Sequence, residues 1–524
     1  MGGVDSPGVT ASTLPHGPRG GLVPFVAIQP RSGVPLYEQI YAAVREQIVR
    51  GALRAGGRLL STRHLAAELA VSRFTVVTAL ERLIAEGYLI PRRSSGIYVA
   101  ATLPDVSMRP GPAKKRAPAA VASHAARLSR RGAALAAVVI TGPRREDGPL
   151  PFHPRRPALD LFPARVWARL VARHWRSTRP SHLDYGDPAG YLPLRKAIAE
   201  HLSVSRALHC DASQVIVTSG AQQAFDMLFR ILIDPGDQVW MEEPGYLDVR
   251  AALIGAGARL VPVPVDGCGL DVAAGVARAP HARLAVVSPS HQYPSGETLT
   301  APRRAALLDW ARRAGAWLVE DDYDSHFRYR GRPLQALQRL DYESGGTPRV
   351  IYVGTFSKTM FPSLRLGYCV VPAALVDAAA NARAVASRNA PIADQAALTT
   401  FIRDGHYDRH LRRARLVYQE RYDAMRAAFA RELSGVLSLT PASAGTHVLA
   451  WFDGLRRERV GVNSYAARVA AAAAAENLVV FPLSRYCLEP PARDGLVLGY
   501  GAVTPRQIAA GAARLARCVE RVRR

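Results

Sequence analysis

Between residues 151 and 524, short β-branched runs alternate with Ala/Arg/Leu stretches of helical period. That alternation leaves little choice of architecture, because strands separated by helices build a mostly parallel sheet with helices on its faces. Five of the runs end in polar or conformationally unusual residues. QVIVT (214–218) leads into Ser219, Gly220, Ala221 and Gln222, and DQVWM (237–241) leads into Glu242-Glu243-Pro244-Gly245-Tyr246. RLAVVS (283–288) leads into PSHQYPSG with His291, AWLVE (316–320) into Asp321-Asp322-Tyr323, and RVIYVGT (349–355) into Phe356-Ser357-Lys358. Ligands of a parallel sheet collect outside the carboxyl ends of its strands, so these five ends are the candidate site.

Each end offers a different chemistry. Ser219, Gly220 and Ala221 open a helix, where backbone N–H groups without intrahelical partners can hold an anion. Tyr246 supplies a flat face for stacking on a ring. Asp321 follows an apolar strand, and a carboxylate buried there is costly without a cationic partner. Lys358 is expected to be buried in the same way. The chain holds 68 Lys plus Arg, yet only four are lysine (Lys114, Lys115, Lys196 and Lys358), so chemistry that needs an amine has few candidates. Lys196 falls on an Arg/Ala/Glu helix face and is expected in water. A desolvated amine has a lowered pKa and attacks aldehydes well. Seven residues on, Arg365 follows Ser363-Leu364 and can return to a phosphate. Amine, carboxylate for a protonated pyridine nitrogen, stacking aromatic and helix start together specify pyridoxal 5′-phosphate. Singly each has a plainer explanation: a lysine after a strand is more often structural, and Asp-Asp-Tyr is more often a turn. Their conjunction at strand ends carries the expectation.

Ahead of this body lies a compact patterned segment. PLYEQIYAAVREQIVRG carries Leu36, Ile40, Ala43, Val44 and Ile48 at helical spacing, closed by Gly51. The spacing then predicts two short helices, the first capped by Ser61 and burying Leu65, Ala66 and Leu69. The second is capped by Ser72 and buries Val76, Ala79, Leu80 and Leu83. A three-residue turn between two such helices is the geometry that places one helix in a major groove. The segment YLIPRRSSGIYVA alternates and turns at Ser94-Ser95-Gly96, as a two-stranded wing does. Ser72 and Thr75 at the helix start can hold phosphate while Arg73 reaches a base edge. Arg63, Arg92 and Arg93 are expected to flank it on the DNA backbone. The competing explanation is a three-helix core with a solvated basic face.

The run from Leu59 to Val99 resembles the winged helix-turn-helix of the GntR family, with Leu60-Ser61 where that family usually shows Pro-Ser and Ser94 where it has a second wing glycine. Residues 151–524 resemble fold-type-I aminotransferases, and LDYGDPAGYLPLRKAIAEHL (183–202) is similar to their early helix region. PSHQYPSG, EDDYDSHFRY and TFSKTMFPSLRLGY resemble the MocR-type branch, in which a GntR-like head is fused to an aminotransferase-like body. The resemblance implies an α/β body with a smaller C-terminal α+β subdomain. It implies Lys358 as the lysine that joins the cofactor aldehyde, Asp321 as partner of the pyridine nitrogen, and Tyr323 as donor to the ring hydroxyl. Ser357 and Arg365 would hold phosphate, with Tyr246, Ser219, Gly220, Ala221, Gln222 and His291 completing the cofactor set. His326 stands where the family commonly has Glu.

With the resemblance, these features lead us to expect a DNA-binding transcriptional regulator whose body binds pyridoxal phosphate and senses an amino acid or that cofactor itself. An effector amine that displaces Lys358 would alter local charge and thereby the placement of the heads. A homodimer is expected, because this body type builds its pocket at a subunit interface and two heads match paired half-sites. The rival is a working aminotransferase with an autoregulatory DNA-binding head. One departure tilts towards sensing: Val497 stands where catalytic members carry an arginine for the substrate carboxylate. Arg485, in PLSRYC, is either its substitute or an ordinary surface residue. Without a bidentate clamp, amino-acid binding loses a charge-assisted pair and orientation suffers.

Composition sets the outer bounds. The formal net charge is +25. Residues 103–150 lose periodicity, gain Pro, Ala and Arg, and are expected to be a basic linker, a weak anchor on a polyanion. Residues 1–33, rich in Gly and Pro, are expected to be a flexible lead, followed by the winged segment (34–102) and the body (151–524). No apolar run reaches membrane-spanning length, and the first residues lack the pattern of a secretory signal. The five cysteines are scattered without metal-ligand spacing, as expected of reduced thiols in a cytoplasmic protein.

Overall fold

The computed structural model describes residues 22–30, 32–93, 95–103, 128–138, 150–331, 334–454 and 464–523. They fall into two compact units, divided after residue 125. In the first unit α1 (Leu36–Val49) buries Ile40, Val44 and Ile48, one stripe of its surface. It ends where Gly51 takes φ +75°, a left-handed conformation open to a residue without Cβ. Ser61 caps α2 (Thr62–Glu68) by accepting from the His64 amide at 3.3 Å. Ser72 caps α3 (Arg73–Ala85) by accepting from the Thr75 amide at 3.1 Å. Val76, Ala79, Leu80 and Leu83 of α3 close one core with Leu65 and Ala66 of α2 and the stripe of α1. The wing strands β1 (Leu89–Arg92) and β2 (Gly96–Val99) pair antiparallel, with Arg92 opposite Gly96; Ser94 lies outside the described residues.

Part of the lead expected to be flexible is docked on this unit. Leu22, Val23, Val26 and Ile28 pack on the core. The Leu22 amide donates to the Arg58 carbonyl at 2.7 Å, and Gln47 Nε2 donates to the Phe25 carbonyl at 2.6 Å. The four apolar side chains gain more by burial than the surrounding Gly/Pro composition suggests. Residues 1–21 lie outside the described residues.

In the second unit eight strands form one sheet: β3 (Val215–Thr218), β4 (Gln238–Glu243), β5 (Arg259–Asp266), β6 (Gly269–Leu270), β7 (Leu284–Val287), β8 (Trp317–Asp322), β9 (Val350–Thr355) and β10 (Gly367–Val370). Their order is β3-β10-β9-β8-β7-β4-β5-β6. From β9 to β5 the pairs are parallel, while β10 runs antiparallel to both neighbours and β6 to β5. Ile216, Val286, Val319 and Ile351 face one apolar cluster, and Val217, Ala285, Leu318 and Tyr352 face clusters on the other side. Burial on both faces is why these strands are near-continuous apolar runs and not alternating ones. The five runs singled out from the sequence become β3, β4, β7, β8 and β9.

A smaller antiparallel sheet follows, made of β11 (Leu437–Leu439), β12 (His447–Phe452), β13 (Phe481–Pro482) and β14 (Gly495–Gly499) in the order β11-β12-β14-β13. The helices His406–Glu432, Tyr465–Ala475 and Pro505–Arg523 contribute to its core. Within the stretch expected to be a linker, Arg130–Ala136 is helical (α4), capped by Ser129, and Leu135 lies against Gly255 of the helix Leu247–Ala256. The rest of that stretch between 104 and 149 lies outside the described residues. No described helix is long and apolar enough to cross a membrane.

Candidate functional site

The carboxyl ends of the large sheet open on a concave cleft lined by both apolar and polar side chains. Ala221, Gln222, Tyr246, Asp321, Tyr323, Ser357, Lys358 and Arg365 line it. Positions far apart in the sequence thus converge because they stand at one edge of the sheet, at or beyond the ends of β3, β4, β8 and β9 and, for Arg365, just before the antiparallel β10.

Lys358 sits in the turn after β9, and its amine donates to the Arg155 carbonyl at 2.6 Å. The side chain is half-buried and open to the cleft, not fully enclosed as its apolar strand suggested. Desolvation, reinforced by the Arg155 guanidinium, lowers its pKa to about 8 against the pull of Asp324, Asp248 and Asp321.

Two adjacent acids at the end of β8 have opposite fates, since successive side chains of a strand point to opposite faces. Asp322 is consumed structurally: Arg206 pairs with it at 2.8 Å and the Tyr352 hydroxyl donates to it. Asp321 faces the cleft, is buried, and its carboxylate has no hydrogen bond or ion pair among the described residues. Burial, with Asp322, Glu242, Asp324 and Asp248 nearby, holds its pKa well above the usual carboxylate range.

At the far end of the cleft the helix Ala221–Leu232 begins after Gly220, which has φ +91°. The amides of Ala221 and Gln222 have no acceptor among the described residues. Arg365 Nη2 reaches the same turn, donating to the Ser219 carbonyl at 2.8 Å. Ser219 and Gly220 do not themselves line the cleft; they shape the turn and anchor Arg365. Tyr246 lines one wall, its hydroxyl tied to Asp248 at 2.9 Å and to Arg155 Nη2 at 2.9 Å. Arg155 also pairs with Asp248.

His291, expected among the cofactor contacts, stands behind the wall. Its Nδ1 lies 2.9 Å from Asp324 and 3.1 Å from the Tyr323 hydroxyl. With His447 it forms a buried cluster of three ligand-type atoms within 4.8 Å, in which Nδ1 is committed to Asp324. Arg485 does not line the cleft; its guanidinium lies 4.7 Å from the Phe481 ring. Val497 is fully buried in β14 opposite Leu449, an apolar core position. His326 also stays off the cleft wall, and burial lowers its pKa to about 3.

Sequence reasoning missed Arg155, Asp248, Tyr293, Thr446 and His447, all of which line the cleft. Arg155 is one arginine among many and carries no local signal. Thr446 and His447 arrive from the small sheet, a contact that only folding creates. Tyr293 was within reach, two residues after His291 in the same loop.

In the first unit Arg63, Arg73, Arg92 and Arg93 are exposed on α2, at the start of α3 and on the wing. Arg73 Nε donates to Thr62 at 3.3 Å, Arg92 lies 4.6 Å from the Tyr98 ring, and Phe74 beside Arg73 is 80% exposed. The hydroxyls of Ser72 and Thr75 bond each other at 2.8 Å.

The fold and the cleft define an aminotransferase-like protein carrying a winged helix-turn-helix. The family of aminotransferase class I and II matches residues 159–492, and bacterial regulatory proteins of the gntR family match residues 36–99. The chain is 40% identical to the probable rhizopine catabolism regulatory protein MocR of Rhizobium meliloti over 91% of this chain and 92% of that one. It is 31% identical to the HTH-type pyridoxine biosynthesis transcriptional regulator PdxR of Corynebacterium glutamicum, over 91% and 94%. Among solved structures, LysN, the alpha-aminoadipate aminotransferase of Thermus thermophilus, matches with a TM-score of 0.66 at 28% identity, over 74% of this chain and 97% of that chain. That structure is complexed with N-(5′-phosphopyridoxyl)-L-leucine. The chain belongs to the MocR-type transcriptional regulators, in which a gntR-family DNA-binding domain is joined to an aminotransferase-like domain of a pyridoxal-phosphate-dependent family.

Proposed function

We propose that this regulator holds pyridoxal 5′-phosphate in the cleft and uses it to sense a small amine or the cofactor itself, while the heads of a homodimer hold paired operator half-sites. The carrying observation is the Asp321 carboxylate, buried with no partner among the described residues in the same cleft as the Lys358 amine. A bare acid there is costly, and a protonated pyridine nitrogen is the partner that removes the cost. When bound, the cofactor supplies an aldehyde to join an amine and a ring that draws off electrons. Lys358 presents the amine, Tyr246 a stacking face and Tyr323 a hydroxyl at the ring. Ser357, Arg365 and the open amides of Ala221 and Gln222 hold the phosphate. In the head, Arg73 reads a base edge while Arg63, Ser72, Thr75, Arg92 and Arg93 hold the DNA backbone.

Sensing is favoured over turnover by Val497. With an apolar core residue where the carboxylate clamp would stand, and Arg155 already tied to Asp248 and Tyr246, an amino acid finds little to orient it. Two relatives are named as regulators of small-molecule metabolism, rhizopine catabolism in one and pyridoxine biosynthesis in the other. The test is to incubate the purified chain with pyridoxal phosphate and treat it with borohydride. Visible absorbance and a reduced adduct on Lys358, both abolished in Lys358→Ala, are expected. Colourless protein with no trapped adduct overturns the cofactor assignment. Rapid, many-turnover product from amino donors and keto acids replaces sensing with the aminotransferase reading.

A further inference from the structure

We infer that the buried His291–Asp324 pair sets the direction of the Tyr323 hydroxyl, holding Tyr323 as a hydrogen-bond donor towards the ring oxygen of the bound cofactor. The inference rests on the cleft being a pyridoxal-phosphate site. Tyr323 lines that cleft, whereas His291 and Asp324 stand behind it. One comes from the loop after β7 and the other from the turn after β8, and they are only 4% and 1% exposed.

The direction follows from proton counting. His291 Nδ1 lies 3.0 and 2.9 Å from the two Asp324 oxygens and 3.1 Å from Tyr323 Oη. An ionised carboxylate has no proton to give, so its bond to the imidazole keeps the proton on Nδ1. Nδ1 then has no lone pair to offer, so Tyr323 Oη, 3.1 Å away, cannot donate to it. The phenolic proton must find another acceptor, and the open side of Tyr323 is the cleft. Without Asp324 the proton can sit on Nε2, Nδ1 can accept from Tyr323, and the hydroxyl turns away from the ligand. His291 and Asp324 therefore act through Tyr323, as positioning residues.

Packing holds the pair in place. Gly445 has φ +82°, and a Cβ there would press on His291 and stand 2.8 Å from Asp324 Oδ2, so only glycine closes over them. Burial, with Asp324, Asp321 and Glu242 nearby, raises the Tyr323 pKa well above its usual range, so the proton being directed is retained.

Two arms test this on the full-length chain. Without added cofactor, one-dimensional proton NMR should show a downfield imidazole N–H signal that is lost in Asp324→Asn and displaced in Tyr323→Phe. With cofactor bound, Asp324→Asn should move the visible absorption maximum and its titration midpoint in the same direction as Tyr323→Phe. It should also weaken cofactor retention about ten- to a hundredfold, the loss expected for one hydrogen bond to an ionised oxygen. The double variant should change nothing beyond Tyr323→Phe, because both act on one contact. His291→Asn, whose amide can take the Nδ1 donor position, should restore much of what His291→Leu loses, and circular dichroism separates misfolding from the effect. Additive shifts in the double variant, an unmoved spectrum in Asp324→Asn, or a downfield signal indifferent to Tyr323→Phe each overturn the inference. A wild-type chain that takes up no cofactor defeats the cleft assignment instead, and the cofactor-free arm still decides the pair.

Discussion

Asp321 and Asp322 show how much one position along a strand decides. The first faces the cleft with no partner among the described residues; the second is locked to Arg206 and Tyr352. Asp321→Asn keeps the shape and removes the charge, so it should lower pyridoxal-phosphate affinity about ten- to a hundredfold while the melting temperature holds. Asp322→Asn should do the reverse, because it leaves the Arg206 charge buried and unpaired, a loss of about 3–5 kcal/mol. The Asp322 pKa is lowered in the fold by Arg206. Its stabilisation is therefore present above the unfolded value of about 4 and disappears on acidification. Equal effects of the two variants on loading, measured by visible titration, would contradict the division. Lys358 carries its own pH signature. With a pKa lowered to about 8 by burial, its neutral fraction grows through that pH and is nearly complete above it. The rate of adduct formation should rise with pH and level off just above that value, measured by stopped-flow absorbance; a rise continuing to about 10, as for a solvated lysine, contradicts the assignment.

Short elements do the positioning. Ser72 caps α3 and bonds Thr75, while Arg73 beside it stays exposed. Ser72→Ala should therefore cost about 1 kcal/mol of head stability, read as a lower unfolding midpoint. Arg73→Ala should leave that midpoint alone and lower specific operator affinity far more than cofactor loading. Equal loss of both, by fluorescence anisotropy and visible titration, would place Arg73 in the fold of the head and not on DNA. The element scale is also where composition misled. Leu22, Val23, Val26 and Ile28 pack on the head despite their Gly/Pro-rich context, and α4 forms inside an Arg/Ala-rich stretch. In both cases the stabilising surface belongs to another part of the chain, and no local window contains it.

At the scale of the whole chain, the +25 formal charge bears on every measurement with DNA. Each phosphate contact adds about 0.9 to the slope of log affinity against log salt. Replacing Lys114, Lys115 and Arg116 together by Ala should flatten that slope by up to about 3 and leave operator preference unchanged. Loss of sequence preference in a salt titration would instead assign these residues to base reading.

Apolar periodicity and polar run ends were enough to determine the α/β body, the helix-turn-helix with its two serine caps, and the residues that stand on strand ends. Those are local or near-local properties: a cap needs three residues, and a strand end marks one edge of any parallel sheet. The motif resemblance then settled which roles to expect. Only the tertiary structure decided that Arg155, Thr446 and His447 share the cleft, that Val497 is core, and that His291 stands behind Tyr323. Each of these depends on a contact between segments far apart in the chain, and the energy that selects such a contact is packing, which has no period to read.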